Sequence, residues 1–179
     1  MENNKVQKRK EIRIKQYNYS QEGMYFITIC TKNRECLLSS VIFKEKTNEA
    51  QISLLYEGAV ADKYIQSINK VYKNICISYY IIMPNHIHLI CEILEEKGSS
   101  GTPTPTNAII PSMVSTFKRL TNREINNKIW QRNYYEHIIR NEREYLEIIQ
   151  YIQNNPLNWN KDKYFMWIVN SNNKFLTFM

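Results

Sequence analysis

Met24 to Cys30 (MYFITIC) is a run of aromatic and β-branched residues and predicts a strand. Asn33-Arg34-Glu35 reads as a turn after it. From about Asn48 to Tyr72 apolar residues recur at helical spacing: Ile52, Leu55, Tyr56, Ala59, Val60, Tyr64, Ile68 and Val71. The spacing predicts one amphipathic helix, with Gly58 as its weak point. Ile75 to Met83 is apolar nearly throughout and predicts a second strand. Pro84-Asn85 breaks that run, because proline lacks the N–H that a central strand must donate. His86 to Leu94 resumes it, so the two strands read as a hairpin. Ala108 to Asn126 returns to helical spacing through Ile110, Val114, Phe117, Leu120 and Ile125. Trp130 to Ile139 is strand-like, and Asn141 to Asn155 forms a last helix opened by a capping-box pair, Asn141 and Glu144. Pro156 disfavours helical geometry at Asn155, so the helix is expected to unwind there.

The order is β α β-turn-β α β followed by an extra helix. That is the split βαβ pattern of an α+β, ferredoxin-like fold with an antiparallel sheet. Many unrelated functions share it, so function has to come from particular residues. Residues 1–16 read as a basic arm, 17–160 as the single domain and 161–179 as a tail. Within the domain, EEKGSSGTPTPTN (95–107) is a low-complexity loop.

Composition narrows the partners. With 43% apolar residues the chain can bury a core, and 24 basic against 17 acidic residues leave a net charge of +7 that favours a polyanion. The arm (Lys8, Arg9, Lys10, Arg13, Lys15) is a candidate nucleic-acid contact. Lys118, Arg119 and Arg123 on the second helix, and Arg132 among the aromatics of WQRNYYEH, are further candidates for phosphate contact. No apolar run reaches the roughly 18 residues of a membrane helix. The charged N-terminus lacks a secretory apolar region, so a cytoplasmic setting is expected. The four cysteines form no CxxC pair, which argues against a zinc ribbon and for plain thiols.

The informative stretch is MPNHIHLI (83–90). Side chains alternate along a strand, so His86 and His88 share one face and Ile87 takes the other. Two imidazoles on one face suit a metal ion; two half-exposed strand histidines without a ligand would satisfy the same pattern. On the last helix Tyr145, Ile148, Ile149 and Ile152 form the buried stripe, with Tyr151 and Asn155 together on its flank. By periodicity alone Tyr151 is a boundary aromatic and Asn155-Pro156 a helix stop.

At these residues the sequence resembles a known family. His86-Ile87-His88 resembles the histidine–hydrophobic–histidine (HUH) motif of single-strand DNA nicking enzymes. WQRNYYEHIIRNEREYLEIIQYIQNNP resembles the tyrosine-bearing end of single-tyrosine insertion-sequence transposases, and most closely of the REP-associated tyrosine transposases. RIKQYNYSQEGMYFITICTKNRECLL resembles the start of that domain, and the similarity runs from about Arg13 to about Asn158. The resemblance implies a ferredoxin-like core, Tyr151 as nucleophile, and His86, His88 and Asn155 as ligands of Mg²⁺ or Mn²⁺. It implies a single-strand endonuclease and strand transferase acting on single-stranded or hairpin DNA, bacterial and nucleoid-associated when on DNA. No nucleotide cofactor is expected, and the protein would be a monomer or homodimer. A phenol has a pKa near 10 and is mostly protonated at neutral pH, so it needs such help as a nucleophile. Two other readings use the same residues: a non-catalytic nucleic-acid-binding module, and a metal-dependent hydrolase that employs water. The histidine pair is expected to be partly accessible, and its replacement to have little effect on folding.

Overall fold

The structure, a computed structural model, describes residues 22–44, 49–94 and 109–161. The basic arm with Arg9 and Arg13, the loop 95–107 and the tail beyond Lys161 lie outside the described residues.

Strand β1 (Gly23–Cys30) has the run of β-branched and aromatic residues expected of a central strand, and it pairs on both sides. Strands β2 (Ser39–Lys44) and β3 (Glu49–Leu54) form a separate antiparallel hairpin. Helix α1 (Tyr56–Val71) leads to β4 (Ile75–Met83), and the two-residue turn Pro84-Asn85 to β5 (His86–Ile93). Helix α2 (Ile109–Ile125), β6 (Tyr135–Ile139) and α3 (Glu142–Asn158) complete the chain. The main sheet has the order β4-β5-β1-β6, antiparallel at each pairing. This is the ferredoxin-like arrangement that the element order predicts, with α3 as the added C-terminal helix.

The sheet is covered on both sides. Tyr25, Ile27, Ile29, Ile87, Leu89 and Cys91 point to one face and pack with Ala61 and Ile65 of α1 and with Ile110, Val114 and Phe117 of α2. Phe26, Ile81, Ile90 and Ile139 point to the other and meet Tyr145, Ile148, Ile149 and Ile152 of α3. Strand β5 is accordingly buried along nearly its whole length. Cys91 lies in the larger core, where burial pushes its thiol pKa up to about 12, so it stays a protonated apolar side chain. No helix among the described residues is long and apolar enough to cross a membrane.

Three local expectations need correction. The helix expected from Asn48 starts at Tyr56, because Glu49–Leu54 pairs with Ser39–Lys44, whose Val41, Ile42 and Phe43 favour strand. Trp130–Ile139 is strand only from Tyr135; Trp130 contributes an isolated bridge to Thr31. Helix α3 does not unwind at Asn155 but runs through Pro156 to Asn158, with Pro156 buried. Its start is as expected: the Asn141 side chain accepts from Glu144 N at 2.9 Å.

Gly58 is a contact rather than a weak point. Leu55 N donates to Leu38 O at 2.9 Å, which draws the first turn of α1 onto that carbonyl. A Cβ at position 58 would lie 1.8 Å from Leu38 O. Alanine gains about 1 kcal/mol of helix propensity over glycine, but this clash is with backbone. Gly58→Ala is expected to destabilise the chain by about 1–3 kcal/mol net, as overpacking does. Urea denaturation checks this, and an equal or higher stability would count against the close approach.

Candidate active site

The alternation of β5 places His86 and His88 on the α3 side of the sheet, with their ring centroids 4.5 Å apart. Both are 5% exposed, so the expectation of a partly accessible pair fails. The cause is α3, which lies over this face, together with the aromatic rings that surround the pair. The Phe26 ring stacks on His88 with centroids 5.1 Å apart, and Trp159, just beyond the helix, sits 6.3 Å from His86. The Tyr151 ring meets His88 edge-on at 5.3 Å, and its hydroxyl lies 3.4 Å from His88 Nε2. Tyr151 is nonetheless 52% exposed, so its ring spans the boundary between the imidazoles and solvent.

Asn155 is one helical turn beyond Tyr151. Both line a cavity of about 490 Å³ together with Gln150, Asn154, Trp159 and Lys161. The cavity is rich in carboxamides and adjoins the imidazoles through Tyr151 and Trp159. The structure thus gathers His86, His88, Tyr151 and Asn155 into one region, from strand and helix segments far apart in the chain.

Electrostatics suit a neutral ligand at His88. Burial holds the His88 pKa well below its ordinary value, and the neighbouring His86 and Arg34 push it the same way. A neutral imidazole is what a cation needs. Two imidazoles with an amide oxygen form a mixed nitrogen–oxygen set that fits manganese at least as well as magnesium. Among the described residues there is no cluster of three or more His, Cys, Asp or Glu side chains. A third ligand from this region would therefore be an amide such as Asn155.

The basic candidates are dispersed. Lys118 donates to the carbonyls of Gln131 and Asn133 at 2.8 and 2.9 Å, tying α2 to the segment before β6. Arg119 and Arg123 are exposed on α2, which covers the opposite face of the sheet from the imidazoles. Arg132 is exposed ahead of β6.

The sequence reading missed Trp159 and four further neighbours of the histidines. Phe26 and Thr28 could have been found, because β1 alternates and its even-numbered residues share the histidine face in the observed register. Asn85, inside the motif, was read only as a turn residue. Arg34 gave no signal; it and Asn33 have positive φ (59° and 54°) in the short helical turn Lys32–Arg34 that follows β1.

Comparison with known proteins places the chain. No protein-family model matches it. An uncharacterised protein of Haemophilus influenzae is 40% identical over 178 residues, covering 90% of this chain and 95% of the relative. A second protein of that organism, described as a REP-associated tyrosine transposase, is 27% identical over 151 residues, covering 78% of this chain and 73% of the relative. A solved structure of a REP-associated tyrosine transposase bound to a REP hairpin shares the fold. Its TM-score is 0.56 at 21% identity, over 82% of this chain and 73% of that one. The chain thus resembles REP-associated tyrosine transposases in sequence and in fold.

Two expectations follow from the burial. His88→Ala removes a stacked, hydrogen-bonded ring and is expected to cost about 2–4 kcal/mol, as buried large-to-small changes do. Thermal or urea unfolding measures it, and an unchanged midpoint would mean that the ring is not packed. Burial also lowers the Lys118 pKa from 10.5 to about 8. Between these values the unfolded chain binds more protons than the folded one, so stability rises with pH. The stability of wild type relative to Lys118→Met is therefore expected to increase from pH 7.5 to pH 9.5 in urea titrations. A decrease would show that the ammonium is stabilised where it sits.

Proposed function

We propose that the chain is a single-strand DNA endonuclease and strand transferase in which Tyr151 is the nucleophile, acting beside hairpins of the REP type. The observation that supports this best is the Tyr151 hydroxyl, half-exposed on its helix and 3.4 Å from Nε2 of a buried histidine. A phenol placed this way meets a phosphate from the solvent side while its helix anchors it from behind.

His86, His88 and Asn155 would hold Mg²⁺ or Mn²⁺. When bound, such a cation supplies positive charge at a non-bridging phosphate oxygen and offsets the charge that develops there. The residues of the chain do the rest. Helix α3 holds the phenol oxygen in line with phosphorus, which converts an encounter into a positioned attack. The Tyr151 oxygen–phosphorus bond forms as the bond from phosphorus to the 3′ oxygen breaks. The phenolic proton passes to solvent, and the departing oxygen takes one up as a free 3′ hydroxyl. The product is a 5′-phosphotyrosine that conserves the ester bond, so a second 3′ hydroxyl can reverse the step and join strands without a nucleotide cofactor. Arg9, Arg13, Arg119, Arg123 and Arg132 are proposed phosphate contacts for the flanking DNA, with Lys118 a lesser one because its donors are engaged. The hairpin bound by the structural relative supports this choice of substrate. A cytoplasmic location fits it, and the chain acts as a monomer or homodimer.

Incubating the full chain with hairpin-flanked single-stranded DNA and Mn²⁺ tests the assignment. Wild type is expected to yield an SDS-resistant protein–DNA adduct, and Tyr151→Phe to lose both adduct and cleavage. Cleavage that persists in Tyr151→Phe would assign the reaction to water. Absence of any adduct in wild type would leave a binding module.

A further inference from the structure

Each imidazole of the pair is held at Nδ1 by a neutral oxygen. Asn85, 0% exposed, closes the β4–β5 turn, and its main-chain carbonyl accepts from Thr31 N and Thr31 Oγ1 at 3.0 Å each. Its side-chain Oδ1 lies 2.7 Å from His86 Nδ1. A carboxamide oxygen only accepts, so the hydrogen sits on Nδ1 and the lone pair on Nε2. At His88, Thr28 Oγ1 lies 2.8 Å from Nδ1, while the Tyr151 hydroxyl approaches Nε2. A hydroxyl both accepts and donates, so Thr28 can take the Nδ1 hydrogen while the phenol donates to Nε2. The two rings then have the same tautomer.

We propose that Asn85 and Thr28 are positioning residues that hold His86 and His88 in the Nδ1–H form and so present both Nε2 lone pairs to one divalent cation. The inference rests on the metal-assisted reading above and adds the groups that orient its ligands. Partners of this kind set ring orientation and tautomer in metal sites generally. The choice of asparagine at position 85 has a cost that points the same way. Its Nδ2 is buried with no hydrogen-bond partner among the described residues, which is destabilising. An apolar residue would avoid that cost in a fully buried turn. What asparagine provides in return is the Oδ1 that faces His86.

The test uses the full chain without DNA. Nitrogen–proton correlation spectra of the metal-free wild type are expected to show both imidazoles protonated at Nδ1 and bare at Nε2. Mn²⁺ affinity follows from the spin-resonance signal of the free ion. Asn85→Ala and Thr28→Val are expected to weaken Mn²⁺ binding about 10–100-fold, the usual loss for such partners. Thr28→Ser, which keeps the hydroxyl, is expected to bind as wild type does. Melting curves report whether each variant is folded. Protonation at Nε2 in the wild type would overturn the proposal whatever the variants do. Unchanged affinity in both folded truncations, in a wild type that binds Mn²⁺ and forms the DNA adduct, would overturn the positioning role alone. A wild type that binds no Mn²⁺ would overturn both the positioning and the metal-assisted reading.

Discussion

Strand β5 lies between β1 and β4 and is buried on both faces, so its period of two divides its side chains between unlike environments. Ile87, Leu89 and Cys91 enter the larger core, and His86, His88 and Ile90 face α3. A one-residue slip would put both imidazoles among aliphatic side chains and two aliphatics under the tyrosine. The register opposes that slip at both edges, with Thr28 opposite His88 on β1 and Ile81 opposite it on β4. The turn at Pro84-Asn85 sets the same register from the end of the hairpin. The site is therefore a consequence of strand pairing, before any ligand is considered.

Helix α3 turns a pair of strand histidines into an enclosed centre. Its Ile148, Ile149 and Ile152 dock on the sheet, and the adjoining flank then carries Tyr151 and Asn155 beside the imidazoles. The N-terminal end is held by Asn141 and by Glu144, whose carboxylate accepts from Arg140 N at 2.7 Å and from His137 Nε2 at 2.6 Å. Those contacts depress the Glu144 pKa, the Arg140 N–H first and then His137. They also tie the helix to β6, which pairs directly with β1. The tyrosine is thus oriented from the helix start as well as by its own packing.

Much of this was legible in the chain. The apolar run broken by Pro84-Asn85 gave β4, the turn and β5, and the spacing of Ile110, Val114 and Phe117 gave α2. Asn141 and Glu144 marked the start of α3, and strand alternation put His86 and His88 on one face, whereas Tyr151 was singled out only by the family resemblance. The losses have physical reasons. Glu49–Leu54 contains Ala, Gln and Leu, which suit helices, and only its partner strand decides otherwise. The burial of the histidines depends on a helix docking from more than 50 positions away, as the separation of 63 between His88 and Tyr151 illustrates. Lys118 reads in the sequence as a candidate phosphate contact, and only the fold brings the Gln131 and Asn133 carbonyls to it.

The two faces of the sheet are held very unequally. Among the described residues the α1–α2 side has an apolar core of twenty buried residues, whereas the apolar cluster under α3 has three, Ile90, Ile139 and Ile152, ringed by half-buried neighbours. Local opening follows such differences, since segments with little buried apolar area come away at lower free energy than the global transition. Helix α3 is therefore the part of this molecule whose amide hydrogens exchange with solvent before those of the central strands. Tyr151, proposed above as the nucleophile, rides on this more lightly packed helix, which would give a bulky nucleic-acid strand a way in without melting the sheet that holds the imidazoles.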